Sequence, residues 1–115
     1  MNAIETGKHQ ALFREVNERV RDIVEPVEQV GGVVEFVCEC AQPGCSEHLR
    51  MSLSDYEEIR RVPTHFAVAG MDHVFPDVER IFAKRDGYFV VETFGQAGLA
   101  AIKLDPRSRR GRFKL

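Results

Sequence analysis

The chain predicts a small single-domain α+β protein with a mixed or antiparallel sheet. Three observations carry that prediction. The apolar residues between Lys8 and Glu25 repeat with the period of a helix, and the stretches Val33 to Cys38 and Tyr88 to Phe94 are dense in β-branched and aromatic residues. The segments also run helix, strand, strand, helix, strand, helix, strand. At 115 residues, with 43% apolar content, the chain is sized for one core.

Met1 to Gly7 has no pattern and is expected to be loose. From about Lys8 to Glu25, Phe13, Val16, Val20 and Ile23 recur at spacings of three, four and three, with Leu12 widening the stripe. That is an amphipathic helix. Arg14, Glu15, Glu18, Arg19, Arg21 and Asp22 form the opposite, solvated face, and Pro26 ends the helix. The apolar stripe is expected to lie on the domain's own core. The alternative is a seam for a protein partner or a second copy, since the stripe is about two heptads long. Val27 and Val30 continue the spacing beyond the proline, in what reads as a linker.

Gly31-Gly32 breaks the chain before Val33-Val34-Glu35-Phe36-Val37-Cys38, a strand. All three cysteines follow within eight positions: Cys38, Cys40 and Cys45. Alternation on the strand points Cys38 and Cys40 the same way. Pro43-Gly44 is a turn signal that brings Cys45 back towards them. Three converging thiolates suit one tetrahedral zinc ion, which needs a fourth ligand for a closed structural site or a water for an open catalytic one. His48, three residues after Cys45, and His73, in a loop after Gly70-Met71-Asp72, compete for the position. An odd cysteine count and the absence of a secretory signal speak against disulfides. Glu35, Glu39 and Glu47 would raise a thiol's pKa rather than activate it, an objection that metal binding escapes.

Leu49, Met51 and Leu53 alternate with Arg50 and Ser52, a second strand antiparallel to the first across the cysteine turn. Ser52 and Asp55 form a capping box for a helix from Leu53 to Arg61, stopped by Pro63, with Tyr56 and Ile59 inward. His65 to Ala69 is a third strand, with His65 expected on the surface. Pro76 opens a third helix with Val78, Ile81 and Phe82 as its stripe, ending near Asp86-Gly87. Tyr88 to Phe94 is a strand whose unbroken apolar run places it centrally. Ala97 to Leu104 reads as a last strand or a docked tail.

Of 16 basic and 18 acidic residues, Arg107, Arg109, Arg110, Arg112 and Lys114 crowd the last ten positions, which leaves 11 basic residues in an acidic body. The organisation expected is a flexible start over residues 1–10, a zinc-binding domain over 11–104, and a disordered basic tail over 105–115. Five positive charges can displace counterions from RNA or DNA phosphates, or act as a solubility extension. No apolar run is long enough to span a membrane, and a soluble, cytoplasmic protein is expected.

The segments Leu12 to Arg19, Phe36-Val37-Cys38-Glu39-Cys40, Cys45, Leu53 to Arg60, Pro63, Phe66 and Tyr88-Phe89-Val90-Val91-Glu92 together resemble a family of short, uncharacterised bacterial proteins. Its pattern is F-x-C-E-C with a third Cys, an L-T-x-x-E-Y-E-x-V-R helix, P-G-H, and V-V-E-K. The resemblance covers roughly residues 11 to 93. It implies His73 as the fourth ligand, because His73 matches the P-G-H histidine. Here Gly-Met-Asp-His replaces Pro-Gly-His, Asp55 stands for Glu, and Thr93 for Lys. The family brings no activity with it.

Three cysteines and a histidine close a zinc site, so the expected function is a non-catalytic, zinc-stabilised interaction or regulatory module, a small factor of the transcription or translation machinery. The alternative is a zinc enzyme with an open three-thiolate site and His73 as base, helped by Asp72, Asp77 or a glutamate beside the cysteines. The zinc-deaminase signature, phosphate-binding glycine loops and nucleophile elbows are all absent from the sequence.

Overall fold

In the computed structural model, which describes residues 2–27 and 32–108, the chain opens directly into helix α1 (Ala3–Val24). The expected loose start is helical instead. Asn2 is the cap, its side chain accepting from the Glu5 N–H at 2.8 Å, a signal masked in the sequence by the apolar-poor first turn. Strands β1 (Val33–Val37) and β2 (His48–Ser52) pair antiparallel, Val33 opposite Ser52 and Val37 opposite His48. Helix α2 (Leu53–Arg60) follows with Ser52 as its cap, the Ser52 hydroxyl accepting from the Asp55 N–H. Tyr56 on α2 stacks flat on Phe36 of β1, ring centres 4.4 Å apart.

Strand β3 (His65–Val68) leads through a short 3-10 turn (Met71–His73) to β4 (Glu79–Arg85) and β5 (Tyr88–Thr93). These make a second antiparallel sheet in the order β3-β5-β4, so β5 is central, as its apolar run implies. Two small antiparallel sheets therefore stand where a single sheet was expected. They are stitched at one point: the Glu39 N–H donates to the Ala67 carbonyl at 2.8 Å, and the Ala67 N–H donates to the Glu39 carboxylate at 2.9 Å.

The helix expected after Pro76 is strand β4. Val78, Ile81 and Phe82 have helical spacing, but Asp86-Gly87 closes a two-residue hairpin, Arg85 opposite Tyr88, with Gly87 at φ +88°. The hairpin pairs β4 with an already buried β5, which overrides the local periodicity. A bulge between Ile81 and Ala83 leaves Phe82 exposed against the ring of His65. That His65 is buried, not on the surface, with Nε2 3.4 Å from Glu92.

Ala97 to Leu104 is helical: α3 (Gly95–Lys103) packs on α1 through small residues. Contact is so close that a Cβ at Gly7 would lie 2.7 Å from the Ala97 carbonyl oxygen.

The largest departure from expectation is the rotation of α1. Its buried residues are Thr6, Gly7, Gln10, Ala11, Arg14, Asn17 and Glu18, whereas Leu12, Val16 and Ile23 are exposed and Phe13 and Val20 half-buried. The inward polar face is hydrogen-bonded rather than merely enclosed, which is the condition for burying it at tolerable cost. Arg14 donates to the carbonyls of Pro63 and Ala101 and lies over the Phe66 ring. Asn17 brackets Val37, donating to its carbonyl and accepting from its N–H, and also donates to Glu39. Gln10 bridges Glu79 and Thr93.

Glu18 is the hub of a buried charge network. It accepts from the Tyr56 hydroxyl at 2.6 Å and from Arg107, while Arg60, itself enclosed, pairs with Asp105 at 2.6 Å. Burial pushes the Glu18 carboxyl up, but hydrogen bonds from Arg107 and Tyr56 and the charges of Arg60 and Arg107 outweigh it and hold it down to about 2. The tail expected to be loose from residue 105 is therefore docked through Ser108. Asp105 and Pro106 are buried, and Arg107 also pairs with Glu57 at 2.8 Å.

Candidate metal centre

The centre is assembled from the end of β1, the turn before β2 and the 3-10 turn after β3. Beyond Val37 the backbone keeps its extended course for three residues. The Cys38 N–H donates to the Glu47 carbonyl and that of Glu39 to Ala67. Extended geometry sends Cys38 and Cys40 to one side and Glu39 to the other. Glu39 enters the core, where Asn17 and the Ala67 N–H hold its carboxylate. Burial pushes its pKa up, and those two hydrogen bonds oppose the shift. The residue between the two cysteines thus anchors the ligand-bearing strand to α1 and β3.

Gln42-Pro43-Gly44-Cys45 is a tight turn closed by the Cys45 N–H on the Gln42 carbonyl at 3.2 Å. Gly44 has φ +79°, the value a type II turn requires at its third position. The turn carries Cys45 back over Cys38 and Cys40. From the other side, Gly70 accepts the His73 N–H and Met71 that of Val74, a single tight coil that presents the His73 ring. The loop behind it is held by Glu79, whose carboxylate takes the Phe75 N–H at 2.8 Å.

Nδ1 of His73 lies 3.7 Å from Cys38 Sγ, 3.5 Å from Cys40 Sγ and 3.6 Å from Cys45 Sγ, and all four atoms lie within 4.8 Å of one another. Hydrogen bonding does not account for three near-equal distances, because one imidazole nitrogen has one lone pair and accepts from one thiol. A central ion does. Metal–sulfur and metal–nitrogen bonds of about 2.3 and 2.0 Å at the tetrahedral angle give a sulfur–nitrogen edge of about 3.5 Å. The donor set and its spacing fit a metal ion. Cys38 and Cys40 are buried, while Cys45 and His73 are half-exposed and offer the side from which an ion could enter.

The thiols interact strongly. Cys38 is raised by its hydrogen bond to Cys40 and by burial, and Cys40 is lowered to about 5, first by Cys38. Burial raises Cys45. Without a cation, three thiolates this close would repel one another. A divalent cation would allow all three to ionise together. Backbone N–H groups are already aimed at the sulfurs: Ala69 at Cys38, 3.3 Å away, Gln42 at Cys40 and Glu47 at Cys45.

His48, the competing fourth ligand, is exposed on β2 and pairs with Glu35 across the strand at 3.0 Å. Phe13, Val16, Val20 and Ile23 lie on α1, outside the metal cluster. Of the basic residues, Arg107 spends its charge on Glu18 and Glu57, while Arg109, Arg110, Arg112 and Lys114 lie outside the described residues. Sequence reasoning missed the supporting residues Glu39, Asn17 and Glu79. Only Glu39 left a trace, as a charged residue alternating with two inward cysteines. Among the described residues no helix is long and apolar enough to cross a membrane. Compared with models of protein families, with curated proteins and with solved structures, the chain matches none.

Proposed function

We propose that Cys38, Cys40, Cys45 and His73 hold one zinc ion in a closed structural site, and that the protein is a non-catalytic, zinc-stabilised interaction module. The observation that carries this reading is the near-equal spacing of three sulfurs around His73 Nδ1. Three soft thiolates and one imidazole in tetrahedral array are a donor set that suits zinc. The ion would tie the β1–β2 hairpin to the loop between β3 and β4 of the second sheet. Structural zinc contributes on the order of 10 kcal/mol, comparable to the whole stability of a domain this size.

An open catalytic site with His73 as base is less well supported, because the same Nδ1 lies within reach of all three sulfurs and would be consumed as a ligand. With Arg107 committed inside the fold, any phosphate-binding role for the tail rests on Arg109, Arg110, Arg112 and Lys114.

Elemental analysis of the purified protein should give one zinc per chain, and X-ray absorption should give three sulfurs and one nitrogen around it. Cys45→Ser and His73→Ala should lose the metal, whereas His48→Ala should keep it. A protein that stays fully folded with unchanged stability after exhaustive chelation would overturn the structural role.

A further inference from the structure

The outward face of α1 is apolar, and no described residue covers it. Leu12 is 56% exposed, Val16 39% and Ile23 74%. At about 100° per residue these three lie within about 40° of one another, on the side opposite the buried row of Gln10, Arg14 and Asn17. One shoulder of the stripe is formed by His9, Phe13 and Val20. The other carries Lys8, Glu15 and Arg19, none of which has an ion pair among the described residues. His9, Phe13, Val16, Val20 and Ile23 follow one another at four, three, four and three, the repeat of a helix that packs along another helix.

We infer that this stripe joins two copies of the chain, α1 packing antiparallel on α1 about a two-fold axis at Val16. The choice of a second copy rests on self-complementarity. Reversal about Val16 sets Val16 against itself, Leu12 against the partner's Val20, and His9 against the partner's Ile23. Antiparallel helices bring like shoulders together, so Glu15 meets the partner's Arg19 and Lys8 meets the partner's Asp22. Symmetry makes every contact off the axis twice. Asp22 also has Arg21 at 3.2 Å, so the Glu15–Arg19 pair is the cleaner one. A parallel pairing would place these charges against the uncharged shoulder of Phe13 and Val20. None of the four metal ligands is on α1, so this inference does not depend on the zinc reading.

Sedimentation equilibrium of the full chain, from about 1 µM to 1 mM, tests it. The apparent mass should rise with concentration towards twice the 13.1 kDa of one chain. Val16→Glu and Ile23→Glu alter exposed side chains, so both should leave the helical circular dichroism intact and give a monomer. Arg19→Glu should weaken the dimer about tenfold by facing it with the partner's Glu15, and the double variant Glu15→Arg, Arg19→Glu should restore it. A monomer at every concentration would overturn the inference and assign the stripe to another protein or a lipid surface. A dimer indifferent to Val16→Glu would move the interface elsewhere, and failure of the double variant to recover would exclude the antiparallel register.

Discussion

Asp105→Ala should cost this protein about 4 kcal/mol, and the figure follows from how Arg60 is enclosed. The Arg60 side chain is fully buried and that of Asp105 is 1% exposed. Nη2 of Arg60 has Asp105 at 2.6 Å, Nε has Glu18 at the looser distance of 3.4 Å, and Nη1 has no partner. Removing Asp105 therefore strips a buried guanidinium of its one short contact, a change that costs about 3 to 5 kcal/mol in general. The remaining pull of Glu18 favours the lower end. Losing the Arg107 N–H bond to Asp105, 2.9 Å long, adds about 1 kcal/mol. With a urea slope of about 1 to 3 kcal/mol/M, the midpoint should fall by roughly 2 M at neutral pH with zinc present. Replacing both partners, as Arg60→Met with Asp105→Leu, should recover most of the loss, since neither charge is then stranded and Glu18 keeps Tyr56 and Arg107. A single-variant cost below about 1 kcal/mol, or a double variant as weak as the two losses added, would refute the enclosed-pair account and with it the docking of residues 105–108.

Glu18→Gln removes a carboxyl held at about 2, below its ordinary 4.5. A depressed pKa gives stability present in full above about pH 4.5 and lost as the pH falls through about 2, so the gap in urea midpoint between wild type and variant should narrow from pH 5 towards pH 3. Glu39→Gln turns one acceptor into a donor facing Asn17 or the Ala67 N–H; competition with a chromophoric chelator should show zinc affinity about 10- to 100-fold lower. Gly7→Ala should lower the melting temperature, although the same change in an open helix raises it by removing a glycine, because the added methyl meets the Ala97 backbone. Deleting residues 109–115 removes Arg109, Arg110, Arg112 and Lys114 and keeps Arg107. If the tail binds phosphates the deletion should also remove any salt-dependent affinity for generic RNA, and equal affinity in both forms would dismiss the tail.

The cysteine turn was legible because its signals are local. Period-two alternation places Cys38 and Cys40, Pro43-Gly44 reverses the chain, and Ser52 caps α2, each within a few residues of what it determines. The apolar run of β5 was legible for a similar reason, since only a central strand tolerates cover on both faces. The choice between His48 and His73 was not decided by local signals. It depends on where β3 delivers its following loop; local spacing left both histidines in competition, the family resemblance pointed to His73, and His48 faces Glu35 instead.

Two elements were misread where tertiary structure overruled local pattern. The segment after Pro76 has helical spacing, but pairing with β5 satisfies a whole strand of backbone groups at once. In α1 the periodicity was right and the orientation wrong. Apolar residues normally face inward, yet here Gln10, Arg14, Asn17 and Glu18 find partners as distant in sequence as Glu79, Ala101, Val37 and Arg107.

By itself, then, the sequence determined the elements whose causes are contiguous: a helix, a hairpin with three cysteines at its turn, a capped second helix and a central strand. Only the tertiary structure decided which histidine joins the sulfurs, which face of α1 is interior, and that residues 105–108 are part of the body. Those outcomes depend on hydrogen bonds and charges that meet across the chain, and a buried polar group is acceptable only when its partner is already in place.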